Sequence, residues 1–171
     1  MLLGDKILLR EWRESDLSVL ASLRNNVELQ TLLMSQPRPN SEDRVRTWLN
    51  EISARENTVF FVIARHIDDA VEGYLQVTNI DKFSGHGELG ICVSPDAQGK
   101  GIASEACDVL EQYLSRILMI RKIVLKVLVE NYRAVSFYRK RGYRDVGVLK
   151  AHHLTAKIYH DVLMMEFELK P

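Results

Sequence analysis

Cysteine and proline are scarce in this 171-residue chain, with two and four copies. Cys92 falls in a strand-like run and Cys107 in a helix-like one, which is not the arrangement of a disulfide framework and points to a reduced, cytoplasmic setting. An excess of either charge is also missing, since 23 basic and 23 acidic residues give a formal net charge of +0. A balanced chain has no overall field to draw it to nucleic acid or to an anionic membrane, so neither is expected as a partner. No apolar run is long enough to span a bilayer. Gly4-Asp5-Lys6 stands where a secretory signal would have its apolar stretch. Among the histidines, His152, His153 and His160 lack a metal-binding spacing such as His-Glu-x-x-His. They read as loop or strand-surface residues, and no metal is expected.

What remains is an ordinary globular composition, 46% hydrophobic and 27% charged. The length suits one domain over residues 1–171 with a sizeable core. Ile7-Leu8-Leu9-Arg10 reads as a strand, and Ser15 as the cap of a helix through Arg24 with Leu17, Leu20 and Leu23 on its apolar side. A turn and the breaks at Pro37 and Pro39 follow, and Ser41 opens a second helix carrying Val45, Trp48, Leu49 and Ile52. Val59 to Ala64 and Val71 to Val77 read as an antiparallel pair joined by a tight turn. The next strand carries Leu89, Ile91 and Val93 on one face and Glu88, Gly90 and Cys92 on the other, a small and polar face. A helical stripe of Ala106, Val109, Leu110, Tyr113, Leu114 and Ile117 then leads to a strand from Lys122 to Val129, forming a β–α–β crossover. Asn131 opens a short helix that ends at Gly142, and two strands close the chain. Such an order implies a layered α/β (α+β) domain.

At the start of the crossover helix lies Gln98-Gly99-Lys100-Gly101-Ile102-Ala103. Glycines on either side of Lys100 let several consecutive N–H groups point into one concavity at the positive end of a helix, a nest that suits a pyrophosphate. The run lacks the spacing of a P-loop, and Ser104 stands where a dinucleotide fingerprint has its third glycine. The pattern Gln/Arg-x-x-Gly-x-Gly/Ala, between a strand and a helix, resembles instead the acetyl-CoA pyrophosphate loop of the GNAT family of N-acetyltransferases. A second segment, Asn131-x-x-Ala134-x-x-Phe137-Tyr138-x-x-x-Gly142-Tyr143, resembles that family's other acetyl-CoA segment. The resemblance runs from about Gly73 to the end of the chain. It implies a mixed, mostly antiparallel sheet of about seven strands flanked by about four helices.

The resemblance also implies roles. Acetyl-CoA would lie against Gln98, Gly99, Lys100, Gly101, Ile102, Ala103 and Ser104, with Asn131 as a further contact or as a helix cap. Backbone groups of Ile91, Cys92 and Val93 would align its pantetheine arm like an added strand. Gln98 stands where many members have arginine, so one charge on the pyrophosphate is missing, and Lys100 is the local substitute. Arg133, Arg139, Lys140, Arg141 and Arg144 form a basic cluster near the same end, readable equally as a solvated helix face. An amine with a pKa of about 10 must lose a proton before it attacks a thioester, and the thiolate leaves more easily with a proton in return. Tyr138 fits the acid and Glu88 the base. A core tyrosine and an ion-paired strand glutamate are the alternatives that the residues leave open.

Features such as Leu23-Arg24-Asn25-Asn26 and Tyr159-His160-Asp161 resemble a subgroup holding ribosomal-protein N-terminal acetyltransferases and nucleotide-amino-sugar N-acetyltransferases. A primary amine on a small polar molecule, such as a nucleotide-linked amino sugar, is the expected acceptor, with a protein N-terminus second and a non-catalytic acyl-CoA sensor third. Trp12, Arg24, Trp48, Tyr74, His86 and His153 are the candidate acceptor contacts, and the chain is expected as a monomer or homodimer.

Overall fold

Alternation of side chains along the strands divides the molecule into two cores, one on each face of a single sheet. The computed structural model describes residues 1–170. Strands β1 (Leu2–Leu3) and β2 (Ile7–Arg10) precede three helices, α1 (Leu17–Asn25), α2 (Val27–Leu32) and α3 (Glu42–Ser53). Then come β3 (Val59–Arg65), β4 (Val71–Asp81), β5 (His86–Val93), α4 (Ile102–Arg116), β6 (Lys122–Leu128), α5 (Tyr132–Lys140), β7 (Arg144–Thr155) and β8 (Ile158–Glu168). The eight strands pair in the order β1-β2-β3-β4-β5-β6-β8-β7. Among the described residues only β5 and β6 run parallel, as the helical crossover between them requires.

Neighbouring residues of one strand serve opposite cores. Leu9, Ile63, Leu75 and Leu89 pack with Ala106, Leu110 and Leu114 of α4. Leu8, Val62, Tyr74 and Cys92 pack with Leu20 of α1 and Leu49 of α3. Ile117 does not continue the stripe of α4: that helix ends at Arg116, and Ile117 is left exposed.

The amino-terminal region departs from the sequence reading in two ways. Ser15 lies inside a single turn of tight helix, Glu14–Asp16, and does not cap α1. That turn instead delivers the Asp16 carboxylate to Arg10, with Nη1–Oδ2 at 2.7 Å and Nη2–Oδ1 at 3.0 Å, both side chains only 4% exposed. Asp16 also accepts from the Arg13 N–H at 2.8 Å. The second departure is α2, which occupies a stretch read as a turn. Asn26 caps it by accepting from the Leu29 N–H at 2.9 Å, the usual bond of a helix N-terminus.

Two short ladders prepare the site. Strand β5 pairs with β4 as far as Val93, and β6 pairs with β8 along its whole length, Lys122 to Leu128. The two strands meet each other only at His86–Glu88 against Lys122–Val124. Beyond Glu88 they diverge, and alternate backbone groups of β5 on that side have no sheet partner.

Candidate active site

The gap between β5 and β6 opens into a cleft of about 670 Å³ that passes from one face of the sheet to the other. Leu89, Ile91 and Val93 line it on the α4 side, and Lys126 and Val127 of β6 bound it opposite. At one end stand Gln98, Gly99 and the first turn of α4, where the glycines Gly99 and Gly101 have φ of 80° and 83°, values that L side chains adopt only under strain. A Cβ built on either would meet no atom within 4 Å, so the space in front of the loop is free. No side chain caps α4, which leaves the amides of Ile102, Ala103 and Ser104 at the positive end of the helix dipole. This loop offers what a diphosphate requires.

Charge at this end comes from α5. Gln98 folds back, donating Nε2 to the Val93 carbonyl at 3.1 Å, and its Oε1 accepts from Arg133 Nη1 at 2.5 Å. Asn131 caps α5 by accepting from the Ala134 N–H at 3.2 Å and also faces the cleft. Tyr138, one helical turn after Ala134, is buried on the α4 side among Phe137 and Tyr143 and still lines the cleft. Burial holds its hydroxyl well above the ordinary tyrosine pKa, so it is protonated across the neutral range.

On the opposite face, register sets the composition. Gln76 pairs with Gly90 and Thr78 with Glu88, and paired residues point the same way, here toward the side that α1 to α3 cover. Glu88 is held by Lys126 Nζ at 3.2 Å and approached by Asn79 Nδ2 at 3.5 Å, which leaves part of its lone-pair capacity open.

The family model for the acetyltransferase (GNAT) domain matches residues 6–144. The chain belongs to the GNAT acetyltransferases. It is an acyltransferase that takes its acetyl group from acetyl-CoA. This GNAT acetyltransferase is 26% identical over 166 residues to the spermidine N(1)-acetyltransferase of Vibrio cholerae, covering 95% of this chain and 93% of that one. It is 25% identical over 159 residues to the Escherichia coli spermidine N(1)-acetyltransferase, covering 93% and 84%. A crystal structure of the Vibrio cholerae enzyme with CoA and spermine superposes with a TM-score of 0.89 at 26% identity, covering 97% of each chain.

The cleft of this GNAT acetyltransferase gathers Glu88, Ile91, Val93, Gln98, Gly99, Gly101, Ile102, Ala103, Ser104, Asn131 and Tyr138 of the residues singled out in the sequence. Cys92 turns its side chain to the other core against Tyr74, where burial pushes the thiol up to about 12. Lys100 faces a separate surface hollow with Arg65, Glu72 and Asp96, so the cation beside Gln98 is Arg133. The rest of the basic cluster is largely engaged elsewhere: Arg139 with Asp145, Arg141 with Asp108 and Glu111, Arg144 with Glu166.

None of the six acceptor candidates lines the cleft. Tyr74 is 6% exposed and shares the second core with Trp48, whose ring centroid is 5.5 Å away, and with the flanking Trp12. Arg24 stacks on Trp48, its Cζ 4.1 Å from the ring centre. His86 sits near Asp81 at the start of β5, and His153 faces His160 across the β7–β8 hairpin. His160 bonds to Glu130, and no group of three or more potential metal ligands occurs among the described residues. The residues that do line the cleft on the side of α1 to α3 are Leu29 and Leu32 of α2, then Leu33 and Met34, with Gln76, Thr78 and Lys126. Asn26 followed by Leu29, Leu32 and Leu33 is a capped apolar stripe, and it was the signal for them.

Proposed function

We propose that this GNAT acetyltransferase acetylates a primary amine of a small molecule, with Glu88 as base and Tyr138 as acid. The observation behind this reading is that both side chains line one cleft from opposite faces of the sheet, at the place where β5 and β6 part. Bound acetyl-CoA supplies the thioester acyl group. The amides of Ile102 to Ser104 and the guanidinium of Arg133 hold its diphosphate, and the free edge of β5 aligns the chain that follows. Glu88, directly or through one water, takes the proton that the ammonium must lose. As the N–C bond forms and the C–S bond breaks, the nitrogen gives up its second proton to water, the Tyr138 hydroxyl gives its own proton to the departing sulfur, and solvent restores the proton on Tyr138 and takes the one held by Glu88.

Small-molecule acceptors are favoured by the relatives named above and by a cleft bounded on the acceptor side by α2. The amino sugar and the protein N-terminus expected from the sequence belong in the same test. Incubation with acetyl-CoA and a panel of amines, amino sugars and peptides, followed by thiol release, should show transfer to at least one small amine. Silence with every acceptor would remove the catalytic reading.

Arg133 carries a second expectation. Losing a charge-assisted hydrogen bond to phosphate costs about 1.5–3 kcal/mol, so Arg133→Gln should raise the KM for acetyl-CoA by about tenfold or more. A truncated acetyl thioester without a diphosphate should react equally with parent and variant. An equal loss with both donors would assign Arg133 to the fold instead.

A further inference from the structure

We infer that the acceptor is a compact monoamine on an apolar body, neither a polyamine nor a sugar. This deepens the function proposed above and rests on it. The acceptor side of the cleft is defined by geometry: the diphosphate loop and Tyr138 lie on the α4 face, whereas Glu88, Gly90, Gln76 and Thr78 share the other face. Four apolar side chains, Leu29, Leu32, Leu33 and Met34, form the wall that faces this floor.

Charge argues first. Glu88 is the only carboxylate among the described residues that line the cleft, and Lys126 already pairs with it at 3.2 Å. The other charged groups on the lining are the cations Lys126 and Arg133. A polyamine enters with two or more ammonium groups. One of them could reach Glu88, but the next would lie against leucine and methionine with a lysine nearby and no second carboxylate to pair with. A single ammonium avoids that penalty.

Hydrogen bonding argues second. A sugar carries several hydroxyls, each of which needs a partner once it leaves water, and the wall from α2 offers only hydrocarbon and thioether side chains. The polar groups on this side lie on the floor, at Gln76, Thr78, Glu88 and Lys126, and an amine nitrogen held at Glu88 is aimed at the gap. The rest of the molecule then lies along α2.

The test is a kinetic series with the intact protein, acetyl-CoA and n-alkylamines from ethylamine to pentylamine, beside spermidine and glucosamine. Each methylene buried against the wall is worth about fourfold in kcat/KM, so the rate should climb steadily along the series. Pentylamine should exceed both spermidine and glucosamine. Leu33→Ala should flatten the climb, and Lys126→Glu should improve spermidine relative to pentylamine by adding the carboxylate that the second ammonium lacks. Preference of the parent for spermidine or glucosamine would overturn this inference and leave acetyl transfer standing. Failure to acetylate any amine would overturn the transfer itself.

Discussion

Tyr138→Phe should lower kcat for acetyl transfer by about 10²- to 10⁴-fold, the usual contribution of a positioned general acid, with little change in affinity for acetyl-CoA. Phenylalanine keeps the ring contacts with Phe137 and Tyr143, whose centroids lie 5.2 and 5.3 Å away, so the helix and the cleft should persist. The sign of the pH effect follows from burial. Because the hydroxyl is held above its ordinary pKa of about 10, its proton-donating form persists as pH rises through the range where amine acceptors lose their protons. The ratio of parent to variant rates should therefore stay constant from neutral pH to about 10. Steady-state kinetics and thermal melts of both proteins check this. A variant as fast as the parent would return Tyr138 to the status of a core residue.

The largest expected effect on stability belongs to Asp16. Its carboxylate meets Arg10 through two bonds in a site where both side chains are 4% exposed. Removing one member of a buried pair leaves the other charge without compensation, which costs about 3–5 kcal/mol. Asp16→Ala should fall toward the lower end of that range, because Arg10 keeps Asp69 at 2.7 Å and the Glu11 carbonyl at 3.0 Å. Replacing Arg10 and Asp16 together with apolar residues of similar volume should cost much less, since no buried charge is then stranded: Asp69, the other partner of Arg10, is 41% exposed and keeps Arg13. Urea unfolding of the three proteins measures both differences. A single variant within about 0.5 kcal/mol of the parent, the ordinary range for a surface change, would mean that solvent reaches the pair.

Features set by short-range chemistry could be read from the residues directly. The left-handed glycines at 99 and 101, the alternation of β5 and the Asn131 cap each depend on a few neighbouring residues, and the structure has all three. Strand and helix counts come close, with eight and five where about seven and four were expected. What escaped were relations across the chain. The Glu88–Lys126 pair joins residues 38 apart and exists because β5 and β6 are parallel in a particular register. Arg133 reaches Gln98 across 35 residues, so no local pattern distinguished it from the neighbouring arginines or from Lys100. The aromatic acceptor candidates lie outside the cleft for a different reason. Trp48 and Tyr74 carry polar tips that suit a binding site, but register places Tyr74 opposite Cys92, beyond the Gln76–Gly90 pair, and there Trp48 of α3 packs on it as part of the second core.

The parting of β5 from β6 has a mechanical side. Each strand is fastened along its outer flank, β5 to β4 and β6 to β8, so neither can drift across to fill the space. The sheet is thus two ladders hinged on three residue pairs. A substitution that shifted the packing around His86 to Glu88 would change the width of the slot by leverage at its far end.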